Sequence, residues 1–128
     1  MTTILIVDDD EQLPLILGRV LAQHDFEIQV ATNARDGLAA ATTQSPDVVL
    51  LDVNLGSDSG LDLQRELRES VERPPAVIFM TSRRDVFTEI VPQLGPADDW
   101  IIKPWDPAEL LARVRLAAKR AAAHKPTE

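Results

Sequence analysis

The sequence predicts an α/β fold: a doubly wound, five-stranded parallel sheet of strand order 2-1-3-4-5, built as five successive strand–helix units. Three observations carry this. Five short apolar runs alternate with five helical stretches, and alternation at this spacing gives a parallel sheet joined by right-handed crossovers. Most of the runs are apolar on consecutive residues, as strands buried on both faces are. Four of them stop abruptly at a reactive polar residue, Asp8, Asp52, Thr81 or Lys103, and parallel α/β sheets bind ligands beyond the carboxyl ends of their strands.

The elements follow in order. Thr3-Ile4-Leu5-Ile6-Val7 is the first strand and ends at Asp8, Asp9 and Asp10. Leu13, Ile16, Leu17, Val20 and Leu21 recur at helical spacing, with Pro14 tolerated in the first turn. Phe26, Ile28 and Val30 alternate, so 26–31 is a second strand with one more polar face. Asn33 is placed to cap a helix over 34–43, and Ser45-Pro46 breaks the chain after it. Val48-Val49-Leu50-Leu51 is the third strand, ending at Asp52. Residues 53–60 carry loop chemistry, and Leu61, Leu63 and Leu67 mark a helix to about residue 70. Ala76 to Met80 is the fourth strand, ending at Thr81-Ser82. A helix over 85–94 is interrupted by Pro92 and closed by Gly95-Pro96. Trp100 to Ile102 is the fifth strand, ending at Lys103-Pro104. Asp106-Pro107-Ala108-Glu109 combines an acidic cap, proline at the first helical position and Glu at the capping-box position. Leu110, Leu111, Val114, Ala117, Ala118 and Ala121 then line one face of the last helix.

A chain of 128 residues with 45% hydrophobic side chains is sized for one domain, expected over 1–122 with 123–128 as a tail or the start of a linker. The formal net charge of −8 opposes direct contact with nucleic acid. The basic residues of the last helix, Arg113, Arg115, Lys119 and Arg120, suit a solvated face or a dimer contact better than a DNA site. No run approaches the roughly 18 apolar residues of a membrane helix, and the N-terminus lacks the basic start of a signal peptide. With no cysteine, the expected setting is the cytoplasm.

The predicted strand order sets strands one, three, four and five side by side, so their ends bring Asp8, Asp9, Asp52, Thr81 and Lys103 to one rim. Taken singly, each has a plainer reading: the first acids as helix caps, Asp52 as a strand-end acid, Thr81 as a turn residue, Lys103 as a solvated lysine. Taken jointly, crowded carboxylates need protons or a shared cation. An all-oxygen site with few protein ligands and room for water suits Mg²⁺. With a lysine opposite, the pocket suits a phosphoryl group: cation and ammonium stabilise its oxygens, a carboxylate can attack phosphorus, and Thr81 can donate to a phosphoryl oxygen.

The motifs ILIVDDD at 4–10, VVLLDVNL at 48–55, Gly60-Leu61, FMTS at 79–82, ADDW at 97–100 and IIKPW at 101–105 together resemble the response-regulator receiver domains of two-component signalling, over about residues 3–120. The resemblance implies a flavodoxin-like fold and Mg²⁺ as cofactor. It implies Asp52 as phosphoacceptor, Asp9 as the main acidic ligand of the metal with Asp8 beside it, and the Asn54 carbonyl as a further ligand. It implies Lys103 as a phosphoryl contact with a cis bond to Pro104, and Thr81 with Trp100 as the switch pair. Trp100 stands where the family usually has Tyr or Phe, Trp105 where Phe is common, and Ser82 where a small residue such as Ala is common. Leu55-Gly56-Ser57 replaces the usual Leu-Pro-Gly, and Pro96 replaces a glycine.

The implied function is a switch rather than a turnover enzyme. A histidine kinase or phosphotransfer protein supplies the phosphoryl group, Asp52 carries it, and a partner, an output domain or a second copy reads the surface of the fourth helix, fifth strand and fifth helix. Two alternatives compete. A Mg²⁺-dependent hydrolase with an aspartyl-phosphate intermediate would want a carboxylate two residues after the nucleophile, where Asn54 stands. A degenerate receiver, acting as an interaction module without phosphorylation, would have lost part of the Asp8, Asp9, Asp52, Thr81, Lys103 set.

Overall fold

Three apolar runs become the centre of the sheet because neither of their faces can meet water. In the computed structural model, which describes residues 2–82, 87–95, 98–103 and 105–123, these are β1 (Thr2–Val7), β3 (Val48–Asp52) and β4 (Ala76–Thr81). The edges are β2 (Phe26–Ala31) and β5 (Asp99–Ile102). The helices are α1 (Leu13–Ala22), α2 (Ala34–Gln44), α3 (Gly60–Ser70), α4 (Phe87–Ile90) and α5 (Pro107–Ala123). Every pairing in this sheet is parallel and the order is β2-β1-β3-β4-β5, as predicted.

Strand residues alternate between two apolar layers. Ile4, Ile6, Val48, Leu50, Ile78 and Met80 pack with Leu17 and Leu21 of α1 and Leu110 and Val114 of α5. Leu5, Val7, Val49, Leu51, Val77 and Phe79 pack on the other face with Ala41 of α2, Leu63 and Leu67 of α3 and Ile90 of α4. Each fully buried aliphatic or aromatic side chain contributes about 1.5–3 kcal/mol, so these strands form a stiff floor beneath the rim where they end.

Local chemistry sets the helix starts. Asn33 Oδ1 accepts the Asp36 N–H at 2.8 Å, the predicted cap. Asp10 Oδ1 accepts from the N–H groups of Gln12 and Leu13 at 2.8 and 3.1 Å, so one of the three leading acids holds the turn that leads into α1. Asp106 Oδ1 accepts from Ala108 N–H at 2.9 Å. Glu109 leaves the expected capping box and binds Arg113 Nε at 3.2 Å.

Three expectations need correction. In α1 the buried residues are Pro14, Leu17 and Leu21, spaced to form one stripe, and Ile16 lies off that stripe at 57% exposure. The stretch 53–60 is not all loop: Asn54–Leu55 pairs antiparallel with Asp58–Ser59 around Gly56, whose φ is +64°, a conformation glycine adopts without steric cost. Among the described residues the fourth helix is α-helical over Phe87–Ile90 and passes into a 3₁₀ turn at Val91–Gln93, because Pro92 removes an N–H and crowds the preceding turn. The predicted start of that helix at 85–86, the substitution at Pro96 and the expected cis bond to Pro104 lie outside the described residues. No helix among the described residues is long and apolar enough to cross a membrane.

Candidate functional site

The registers bring the strand ends to one rim. Val7 lies opposite Leu51, Asp52 opposite Met80, and Thr81 opposite Ile102. Asp8 N–H still donates to Ala31 O at 3.1 Å, and Lys103 N–H donates to Thr81 O at 2.8 Å. The backbone at both positions is therefore fixed one residue beyond its strand.

Asp8, Asp9 and Asp52 each offer a carboxylate oxygen, and these oxygens lie within 4.8 Å of one another. Asp8 and Asp52 are buried and Asp9 is exposed. Lys103 Nζ donates to Asp8 Oδ2 at 3.2 Å and to Asp52 Oδ2 at 2.9 Å. The other oxygen of each buried acid is held by its own backbone: Asp8 Oδ1 accepts from Asp10 N–H and Asp52 Oδ1 from Asn54 N–H, both at 2.9 Å. These i to i+2 turns are a local habit of aspartate. Both carboxylates are thus oriented before any ligand arrives.

Among the described residues the charge is unbalanced, three carboxylates against one ammonium. Burial holds the Asp8 carboxyl above its ordinary range and the Asp52 charge adds to this, although the Asp10 N–H and Lys103 pull the other way. Burial opposes the Lys103 ammonium, but its hydrogen bonds and charge pairing with Asp52 and Asp8 outweigh that and raise its pKa. Lys103 therefore stays charged at neutral pH. A convergent set of hard oxygen donors with surplus negative charge fits a small divalent cation, with Asp8, Asp9 and Asp52 able to hold it.

Of the residues singled out from the sequence, Asp8, Asp9, Asp52 and Lys103 come together directly. Asn54 is exposed beside them and orients Asp52 through its N–H. Thr81 is buried at the end of β4 on the same rim. Trp100 lies on β5 opposite Phe79 and packs, half-buried, against the α2–α3 layer. Trp105 packs against the opposite layer.

Two glycines carry more of the site than the sequence reading assigned. Gly60 N–H donates to Val53 O at 2.8 Å, and a Cβ there would overlap the Asp52 carbonyl oxygen. A Cβ on Gly56 would lie 3.7 Å from an Asp9 carboxylate oxygen. In the sequence Gly60 stands out only through the Gly60-Leu61 pair; in the structure it follows Ser59, whose Oγ accepts Leu61 N–H and caps α3. The closeness of Gly60 to Asp52 had no signal in the sequence.

Comparison with known proteins identifies the family and the fold. The family model described as the response regulator receiver domain matches residues 4–115. The response regulator ArlR of Staphylococcus aureus is 34% identical over 120 residues, covering 94% of this chain and 54% of that protein. The chain thus spans about half the length of the relatives it matches. The BeF₃-activated N-terminal receiver domain of Klebsiella pneumoniae RstA superimposes with a TM-score of 0.81 at 27% identity, over 92% of this chain and 99% of that one. A CheY-like response regulator receiver domain from Methanospirillum hungatei JF-1 does so with a TM-score of 0.86 at 23% identity, over 98% and 99% of the two chains; at that identity the likeness shows the fold.

Proposed function

The chain belongs to the response-regulator receiver domains of two-component systems, and from that premise we propose that it is a Mg²⁺-dependent phosphorylation switch with Asp52 as the phosphoacceptor. The observation that carries the reading is the convergence of Asp8, Asp9 and Asp52 within 4.8 Å, with Lys103 bound to two of them.

Asp8, Asp9 and Asp52, with the Asn54 carbonyl, would hold the metal. When bound, Mg²⁺ supplies charge neutralisation for the phosphoryl oxygens. The rest falls to the chain itself. Asp52 attacks phosphorus with a carboxylate oxygen, forming an acyl phosphate as the donor's P–N bond breaks. The imidazole of the donor phosphohistidine leaves with that electron pair and takes a proton from solvent. Lys103 stays charged and moves its pairing from the carboxylate to the phosphoryl oxygens. The Thr81 hydroxyl donates to a phosphoryl oxygen, and Trp100 repacks with it.

The phosphoryl group carries roughly two negative charges at pH 7 and replaces the single charge of the Asp52 carboxylate, so the site gains about one net negative charge, which biases a two-state equilibrium. The surface of α4, β5 and α5 reads it out. There Arg113 grips Asp99 with Nη1 at 2.9 and 2.8 Å, tying β5 to α5, and Val91 and Leu116 are exposed apolar residues. A histidine kinase or phosphotransfer protein is the donor. An output domain, a downstream protein or a second copy is the reader, and the domain itself makes no direct contact with nucleic acid. Its role is that of a phosphoacceptor working in the cytoplasm, not of a turnover enzyme.

The test is a titration with Mg²⁺ and then beryllofluoride while the fluorescence of Trp100 and Trp105 is followed. Both additions change the signal in the wild type, and Asp52→Asn abolishes the second change. A wild type that responds to neither refutes the proposal in favour of a phosphorylation-independent interaction module.

A further inference from the structure

One buried acid lies away from this site. Asp98 precedes β5, and its side chain is 7% exposed. Its Oδ1 accepts from Val77 N–H at 2.7 Å, at the start of β4. Its Oδ2 accepts from Gly95 N–H at 2.8 Å, from Gln64 Nε2 at 2.9 Å and from Arg68 Nη2 at 3.0 Å. Four donors from three parts of the chain meet on one carboxylate. Charge-assisted bonds of this kind are the strong ones, and a buried acid so fully satisfied fixes the groups around it.

Gln64 and Arg68 lie one turn apart on the same face of α3. The first residue of that helix is Gly60, pressed against the Asp52 carbonyl and bonded to Val53 O. From Gly60 to Arg68 the helix rises about 12 Å. Leu63 and Leu67 bury the intervening length in the core, and close-packed side chains transmit a shift rather than absorb it. One end of α3 touches the phosphoacceptor backbone, and the Asp98 joint ties its second and third turns to the base of the strand that carries Trp100.

We propose that Asp98 is a positioning residue for the switch: it couples the base of β5 to α3, so that a change at Asp52 reaches the β5 surface along this helix as well as through Thr81. The inference rests on the phosphorylation reading above. Coupling of this kind is reciprocal, so occupancy at Asp52 must alter the stability of the joint.

The joint has two native reporters, the amide protons of Val77 and Gly95. Their hydrogen exchange is measured by NMR in Mg²⁺ with and without beryllofluoride, with occupancy followed by ¹⁹F NMR and the Trp100 indole signal as the switch readout. The variants are Asp98→Asn, which loses the charge but keeps an acceptor, and Arg68→Ala, which removes a half-exposed partner and leaves the core intact. The wild type changes exchange at Val77 and Gly95 severalfold on occupancy. Both variants still bind beryllofluoride, with a midpoint weakened at least about fivefold, the lower end of the usual range of allosteric coupling, and a reduced Trp100 response. If Asp98→Asn does not fold, Arg68→Ala alone decides. A wild type that binds with unchanged exchange, or an Arg68→Ala protein with the wild-type midpoint and full Trp100 response, overturns this inference and leaves the phosphoacceptor reading standing. A wild type that takes up no beryllofluoride overturns both.

Discussion

Replacing Asp8 with asparagine should stabilise the metal-free protein and abolish its response to Mg²⁺. With oxygens at most 4.8 Å apart and an effective dielectric near 20, each carboxylate pair in the cluster repels by about 3.5 kcal/mol or more, while Lys103 at 3.2 Å from Asp8 returns about 5 kcal/mol. Asp9 is exposed, so solvent weakens its share, and the Coulomb balance at Asp8 comes close to zero. The cost of burying a carboxylate whose side chain is 1% exposed then has little to offset it. Asparagine keeps an oxygen for the Asp10 N–H and leaves Lys103 paired to Asp52. A gain of about 1–2 kcal/mol follows, or roughly 4–8 °C in Tm for a domain of this size, measured by calorimetry in EDTA. Its pH dependence has a definite sign. Because the folded pKa of Asp8 lies above the unfolded value of 3.8, the penalty is present above the folded pKa and fades as pH falls through it towards 3.8. Mg²⁺ at about 100 times its Kd should add about 2.7 kcal/mol to the wild type and much less to the variant. A variant that melts lower in EDTA, or that gains from Mg²⁺ as the wild type does, refutes the reasoning.

Lys103→Met should retain Mg²⁺ binding, measured by tryptophan fluorescence, but take up phosphoryl groups from acetyl phosphate about 10²–10³-fold more slowly, the usual cost of losing one group that stabilises transition-state charge. Gly60→Ala should lower stability by about 2 kcal/mol or more in urea unfolding, because its Cβ meets a backbone oxygen that can move only with the β3 end. Asn33→Ala loses the cap of α2 and should cost about 1 kcal/mol in the same assay, with Mg²⁺ binding unchanged.

The sheet was legible in the sequence because burial on both faces leaves runs such as Val48–Leu51 with no alternative, and Asn33 and Pro107 mark helix starts by local chemistry alone. The site was legible because parallel topology turns strand ends into neighbours, so Asp8, Asp52 and Lys103 could be placed together without coordinates. What escaped depends on geometry that periodicity does not encode. Ile16 fits a helical pattern as well as Pro14 does, and only the face that α1 turns to the sheet decides that the proline is buried. The three acids at 8–10 divide their work, Asp10 in the turn that leads into α1 and the other two at the cluster, which their adjacency hides. The approach of Gly60 to Asp52, and the four donors gathered on Asp98, depend on where α3 lies, which no local pattern specifies.

The most direct test of the central claim is to treat the purified chain with acetyl phosphate in Mg²⁺, read its intact mass, and map the modified residue after borohydride reduction. The account predicts one added phosphoryl group, located on Asp52, that is absent in EDTA and absent from Asp52→Asn. A phosphoryl group on another residue, or uptake that survives both EDTA and the Asp52 substitution, would contradict it.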